Sequence, residues 1–181
     1  PVHAEVGPDG AVWFADWYNF IIQHNPTPKK EHGGFDTTTG AGGAHVNPLR
    51  DTTHGRIYSI RWRNAAKKSK IALDPSDGAQ LVATLKNDNM FWRMTAQQRL
   101  VERGQTDVVP ALIALLKDNT VDDLGLNPGA LHALWTLHGL GALSKVPEAK
   151  AAIRAALNHP AASVRRAPPA RESRQAAPAG S

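Results

Sequence analysis

Apolar residues change their spacing near residue 75. Upstream they come in short strand-like runs, and downstream they recur every three to four positions, the period of helices packed on one face. Gly7-Pro8-Asp9-Gly10 is dense turn punctuation. An outer-sheet strand is expected just before it. The run Ala11 to Trp17 after it is apolar, aromatic and short enough for a strand. Gly55 to Trp62 is a second run, whose alternation sets Tyr58, Ile60 and Trp62 on one face and Ser59 and Arg61 on the other. That pattern predicts a half-buried antiparallel strand. Two strands joined by a loop are marginal by themselves, so further strands or the helices must cover them. Between the runs, residues 25–53 hold five Gly, three Pro and no sustained period. Connections of such length are usually functional or disordered.

The helical half opens at Pro75-Ser76, with Ser76 as N-cap and Leu81, Val82 and Leu85 as its stripe. Trp92, Ala96 and Leu100 stripe a second helix that stops at Gly104. Thr106 or Asp107 caps a third, in which Val108, Val109, Leu112, Leu115 and Leu116 share a face and Pro110 falls in the tolerant first turn. Asn127-Pro128 supplies an N-cap and an N1 proline for a fourth, carrying Leu131, Leu134 and His138. Pro147 starts a fifth with a narrow stripe of Ala149, Ala152, Ile153, Ala156 and Leu157, which lets a neighbouring helix approach closely. Residues 76–158 are therefore expected to form about five antiparallel helices, with Trp92, Leu100, Leu112, Leu115, Leu134 and Ile153 buried.

A repeat underlies these helices. Ala96 and Leu100 fall on Ala133 and Leu137 at an offset of 133 − 96 = 37 residues, and Val164-Arg165 begins a third copy at 165 − 93 = 72. Helix pairs of this length resemble HEAT repeats, which stack into a solenoid. Pro168-Pro169 breaks the third copy, and the Pro/Ala/Arg/Ser run after it has a disordered composition. The fold class expected is α+β: short antiparallel strands over 1–65, a helical solenoid over 75–165, and a disordered tail over 166–181. Both halves read as incomplete. The chain opens at Pro1 directly before a strand, and the tail interrupts a helix pattern just begun.

Composition narrows the chemistry. With 41% hydrophobic residues in 181 the chain can bury a core. It has no cysteine, which excludes disulfides, thiolate metal sites and Cys-x-x-Cys-His haem attachment on these residues. No apolar run approaches the roughly 20 residues of a membrane span. Of the net charge of +5, residues from Ala161 onward carry +3, from Arg165, Arg166, Arg171 and Arg174 against Glu172. The remaining 160 residues hold 17 basic against 15 acidic side chains, too balanced for a phosphate-binding surface. The arginine tail lacks interleaved aromatics, so nucleic acid is a poor partner.

The phrases Gly7-Pro8-Asp9-Gly10-Ala11-Val12-Trp13-Phe14-Ala15-Asp16-Trp17-Tyr18-Asn19, then Ile22 and His24, and Arg50-Asp51-Thr52-Thr53-His54-Gly55-Arg56-Ile57-Tyr58 resemble the closing blade of a β-propeller. They are similar to bacterial membrane-bound dehydrogenases related to the soluble glucose/sorbosone dehydrogenases. In that family HEAT-type repeats and often a cytochrome c domain follow the propeller. The resemblance spans about residues 5 to 165 and implies a parent protein that oxidises a sugar or alcohol in the periplasm or cell envelope. Pyrroloquinoline quinone and calcium are the cofactors it implies for the parent, with none on this chain. This chain departs from the pattern in lacking most blades and any haem motif, so its own part is expected to be a scaffold without catalysis. The alternative is a free-standing HEAT-repeat module that binds a protein or peptide.

Five of the eight histidines lie in the first 54 residues, with no pair at the i, i+4 spacing of a helical metal site. Asp16, His24, Arg50, Asp51, His54 and Arg56 cluster at the two ends of the long loop. If the flanking strands pair antiparallel, Asp16 and Trp17 meet His54 and Arg56. The candidate site is either an ion-paired latch that closes the loop or a pocket for a polar ligand or cation. Trp92, Trp135, His132 and His138 read as structural. Arg93 is expected to pack its stem and to pair its head with a carboxylate or an exposed carbonyl. No nucleophile–base pair, paired carboxylates or phosphate loop is present at a convincing spacing.

Overall fold

A computed structural model describes residues 2–16, 30–32, 38–39, 45–46, 53–65 and 71–167. The chain divides into two compact units, Pro1–Lys68 and Ser69–Ser181. The architecture is mixed: a small antiparallel sheet in the first unit and seven helices in the second. Among the described residues no helix is long and apolar enough to cross a membrane.

In the first unit β1 (His3–Val6), β2 (Val12–Asp16) and β5 (Arg56–Ile60) form an antiparallel sheet in the order β1-β2-β5. A 3-10 turn at Lys30–His32 and a separate two-residue pair, β3 (Thr38–Thr39) with β4 (His45–Val46), lie between. The 7–10 punctuation makes the β1–β2 turn. Gly7 N–H donates to Ala11 O at 2.9 Å, and Gly10 N–H donates to Gly7 O at 3.0 Å. Asp9 holds the turn from within: its Oδ1 accepts from Ala11 N–H at 3.0 Å and from the Trp13 indole at 3.1 Å, while Oδ2 pairs with Arg61. The Trp13 indole, with the Ala11 N–H and Arg61, holds the Asp9 carboxyl below its ordinary value.

The register pairs Val12 with Ile60 and Phe14 with Tyr58, whose rings stack at 5.1 Å between centroids. With Val6 opposite Val12, one face carries Val6, Val12, Phe14, Tyr58 and Ile60. The alternation is the expected one, but the expected half-burial of the second strand is not found. Every residue of β5 is exposed, Ile60 at 59% and Trp62 beyond it at 74%. Three strands of four or five residues cannot cover their own faces, and Gly7 and Ala11 are the buried residues among those described in this unit.

The core lies in the second unit. Its helices are α1 (Gly78–Thr84), α2 (Met90–Arg103), α3 (Val109–Leu116), α4 (Pro128–Gly139), α5 (Ala142–Lys145), α6 (Pro147–Ala156) and α7 (Ala162–Arg165). Where one polar residue stands alone before an apolar stripe, the expected boundary holds. Asn127 caps α4 with Pro128 at its first position, and Gly104 ends α2 in the left-handed region at φ 66°. Two caps differ. Asp77, not Ser76, caps α1 by accepting from Gln80 N–H at 2.9 Å, because Ser76 spends its N–H and hydroxyl on the Asp74 carboxylate. Helix α3 has no side-chain cap, because Asp107 forms a two-pronged pair with Arg103, both contacts at 2.7 Å.

Helices α1 and α2, α3 and α4, and α5 and α6 pack as neighbours in sequence, and α2 on α4, α3 on α6 and α4 on α7 join them. Arg93 meets His132 and Val101 meets Gly139, so α2 and α4 run in the same direction. A Cβ on Gly139 would come within 2.6 Å of Val101, so glycine sets how closely these helices approach. Leu81, Leu85, Leu100, Leu112, Leu116 and Leu137 are fully buried and centre one apolar cluster. Of the six side chains expected inside, Leu100, Leu112, Leu115, Leu134 and Ile153 are buried. Trp92 is half-buried, since it sits in the first turn of α2, past the edge of what covers Ala96 and Leu100. The described chain continues through α7 to a buried Ala167, so Arg166 and Ala167 belong to the helical unit; residues 168–181 lie outside the described residues.

Candidate functional site

Local strand pairing builds the candidate site. Asp16 ends β2 and Arg56 begins β5, and the register sets them directly opposite each other. Opposed residues in an antiparallel pair share a face with Cβ atoms about 5 Å apart, so the two side chains start within reach of one another. His54 lies two residues before Arg56, and its carbonyl accepts from Arg56 Nη1 at 3.3 Å. The His54 ring is tied to its neighbour, Nδ1 to Thr53 Oγ1 at 2.9 Å. Asp16, His54 and Arg56 are thus gathered at one end of the sheet. His24, Arg50, Asp51 and Trp17 lie outside the described residues. A double-mutant cycle on Asp16→Ala and Arg56→Ala should give a coupling of about 0.2–1 kcal/mol in urea unfolding, the range for an opposite-charge cross-strand pair. Coupling indistinguishable from zero would remove the latch.

The helical unit has a second polar region, a shallow depression of about 230 Å³ between the α3–α4 loop and the start of α4. Lys86, Asp118, Thr120, Asp122, Asn127 and Gly129 line it. Its carboxylates are already committed to turns. Asp118 accepts from Thr120 N–H at 3.0 Å, and the Thr120 contacts, with Lys86 further off, hold it below its ordinary value. Asp122 accepts from Leu124 and Leu126 N–H at 2.9 and 2.8 Å. Asn127 Oδ1 caps α4 while its amide donates to Asp118 O and Thr120 O, each at 2.8 Å. Groups engaged in this way organise a loop; they do not form an acid–base pair.

Two arginines perform one task at repeat-related positions. Arg93 Nη1 donates to the carbonyls of Asn87 and Asp88 at 2.5 and 2.9 Å. Arg165 Nη1 donates to those of His159 and Pro160 at 2.6 and 2.7 Å. In both, the acceptors lie six and five residues back, at the corner before the helix that carries the arginine. The expected pairing of Arg93 with an exposed carbonyl is the one found. Two polar partners escape sequence reasoning. Gln97 Oε1 lies 2.7 Å from His132 Nδ1, and the buried His159 donates through Nε2 to Asp118 O at 2.9 Å. Neither contact has a local signal, since the partners stand 35 and 41 residues apart.

Among the described residues no group of three or more His, Asp or Glu side chains is placed to hold a metal ion. Calcium therefore has no ligand set in the described part of the chain, and no chemical step is routed through it or through a quinone.

Residues 1–64 match the family model described as Domain of unknown function (DUF7133). The match covers about a third of the chain and stops within the sheet unit. Comparisons with curated proteins and with solved structures return no match.

Proposed function

We propose that this chain is a non-catalytic scaffold of a sugar or alcohol dehydrogenase of the propeller-plus-HEAT kind. In this reading the sheet unit is a blade that packs against further blades, and the helical unit is a HEAT-like stack that holds a protein partner. The observation that carries it is the repeated arginine corner: Arg93 and Arg165 staple equivalent turns 72 residues apart, two periods of 36. Stacked helix pairs need such a device at each corner, because the carbonyls there have left one helix and not entered the next. The open sheet supports the blade role. Val6, Val12, Tyr58 and Ile60 are each 41–59% exposed on one face, an arrangement that gains by burial against another sheet. The quinone and calcium of the parent would draw on other blades.

The purified chain, supplied with pyrroloquinoline quinone, calcium and an artificial electron acceptor, is expected to turn over neither glucose nor a simple alcohol. Quinone-dependent turnover above the protein-free rate overturns the scaffold reading. A second reading, a free-standing helical module that binds a protein or peptide, is favoured by the core's confinement to the helical unit. Hydrogen exchange on the intact chain separates the two. A blade awaiting its neighbours leaves the amides of β2 and β5 exchanging far faster than those of α2 and α4. Equal protection in sheet and helices points to the free-standing module.

A further inference from the structure

The seam between α2 and α4 is closed by a polar contact inside an otherwise apolar interface. His132, only 8% exposed, uses both ring nitrogens. Arg93 Nε lies 3.3 Å from Nε2 and can only donate, so Nε2 must be the bare acceptor. The ring hydrogen then sits on Nδ1 and points at Gln97 Oε1, 2.7 Å away. Both donors and acceptors are satisfied in this one tautomer of the neutral ring. A second hydrogen on Nε2 would face the Arg93 N–H head on, placing two donors and two positive charges within one hydrogen-bond length.

We propose that the Arg93–His132–Gln97 contact is a proton-sensitive joint: a proton taken up on His132 Nε2 expels the Arg93 guanidinium, opening the α2–α4 seam and loosening the corner between α1 and α2. The corner follows because the same guanidinium holds the carbonyls of Asn87 and Asp88. Among the described residues Arg93 is the charged group acting on His132; Gln97 is neutral, and α3, α5 and α7, the other helices packed on α4, set no charge against the ring. The Asp88 carboxylate acts on Arg93 from the corner. Burial first, and Arg93 second, lower His132 from 6.5 to about 4. A folded value below the unfolded one means that the contribution is present above pH 6.5 and is lost as pH falls from there toward 4. The joint therefore answers to acidification and not to base, and it stands whether or not the chain serves a dehydrogenase.

Two measurements on the intact chain test it. The first follows the His132 ring and the Arg93 Nε–H by NMR from pH 7.5 to 4. The Arg93 signal should move or vanish with the His132 midpoint, and the amides of Asn89 to Phe91 should lose exchange protection with it. An Arg93 Nε–H that stays unchanged while His132 titrates overturns the proposal. The second compares urea unfolding of the wild type with His132→Gln, which keeps a hydrogen-bonding amide and removes the titration. The wild-type unfolding constant should rise by up to about tenfold per pH unit below 6.5, on the order of 100-fold by pH 4.5, beyond any rise in the variant. His159 and the carboxylates are common to both proteins and cancel. Identical pH dependence in the two overturns the proposal. If His132→Gln does not fold, Gln97→Glu replaces it: a carboxylate on Nδ1 should raise the His132 midpoint, and an Arg93 signal that fails to follow it upward counts against the joint.

Discussion

Leu112→Ala is expected to lower the stability of the helical unit by about 3–5 kcal/mol, near the top of the range for a buried leucine. Leu112 has no exposed surface and lies in α3, which packs on α4 and on α6. Removing its branched end loses the transfer free energy of the missing methyl groups. It also leaves a void that helices held from two sides cannot collapse to fill. Leu115, one turn on and 9% exposed, borders the glycine of α4 that would place a Cβ within 3.2 Å of it. Leu115→Ala should cost less, about 2–3 kcal/mol, because water and the mobile end of Lys86 can relax into the gap. The check is urea unfolding followed by helical circular dichroism, with an unchanged slope and a lower midpoint. A loss under about 1 kcal/mol at Leu112 would mean that α3 is not held on both sides.

What is legible ahead of the structure depends on distance along the chain. The Asn127 cap, the Gly104 stop and the strand pair that sets Asp16 against Arg56 rest on residues a few positions apart or on a pattern of period two. The caps of α1 and α3 differ from expectation where several capping residues stand in a row. Asp74 claims Ser76 and Arg103 claims Asp107, competition that spacing does not reveal. An amphipathic stripe shows which side of α2 turns inward but not how far the covering layer reaches, so Trp92, expected inside, lies at the rim. Alternation in β5 likewise marks a face that should be covered without supplying the cover. Half of the candidate site, Asp16, His54 and Arg56, can be located through strand pairing. The polar joint at His132 depends on the packing of two helices, and no periodicity signals it.

The second large effect is expected at Asn127, where one buried side chain does two separable jobs. Its Oδ1 accepts from Ala130 N–H at 2.9 Å, the N-cap of α4, and its amide donates to Asp118 O and Thr120 O. Only 7% of the residue is exposed, so water does not readily replace it. Losing a cap costs about 1 kcal/mol. Leaving a buried carbonyl without its donor costs about 1–3 kcal/mol. Asn127→Ala should therefore destabilise the helical unit by about 2–4 kcal/mol, well beyond a cap alone. Asn127→Asp separates the two contributions, because aspartate caps as well as asparagine. It donates nothing, however, and would aim a carboxylate at the two carbonyls. If capping dominated, Asn127→Asp would be near neutral. Because the loop carbonyls are the larger share, it should be at least as damaging as Asn127→Ala at pH 7. It should recover in part as the pH falls through the aspartate's folded value, which the carbonyls and burial push up. Urea midpoints for both variants at pH 7 and pH 5 decide which contribution is larger. A near-neutral Asn127→Asp would show that the cap, and not the bonds to the loop carbonyls, holds this corner.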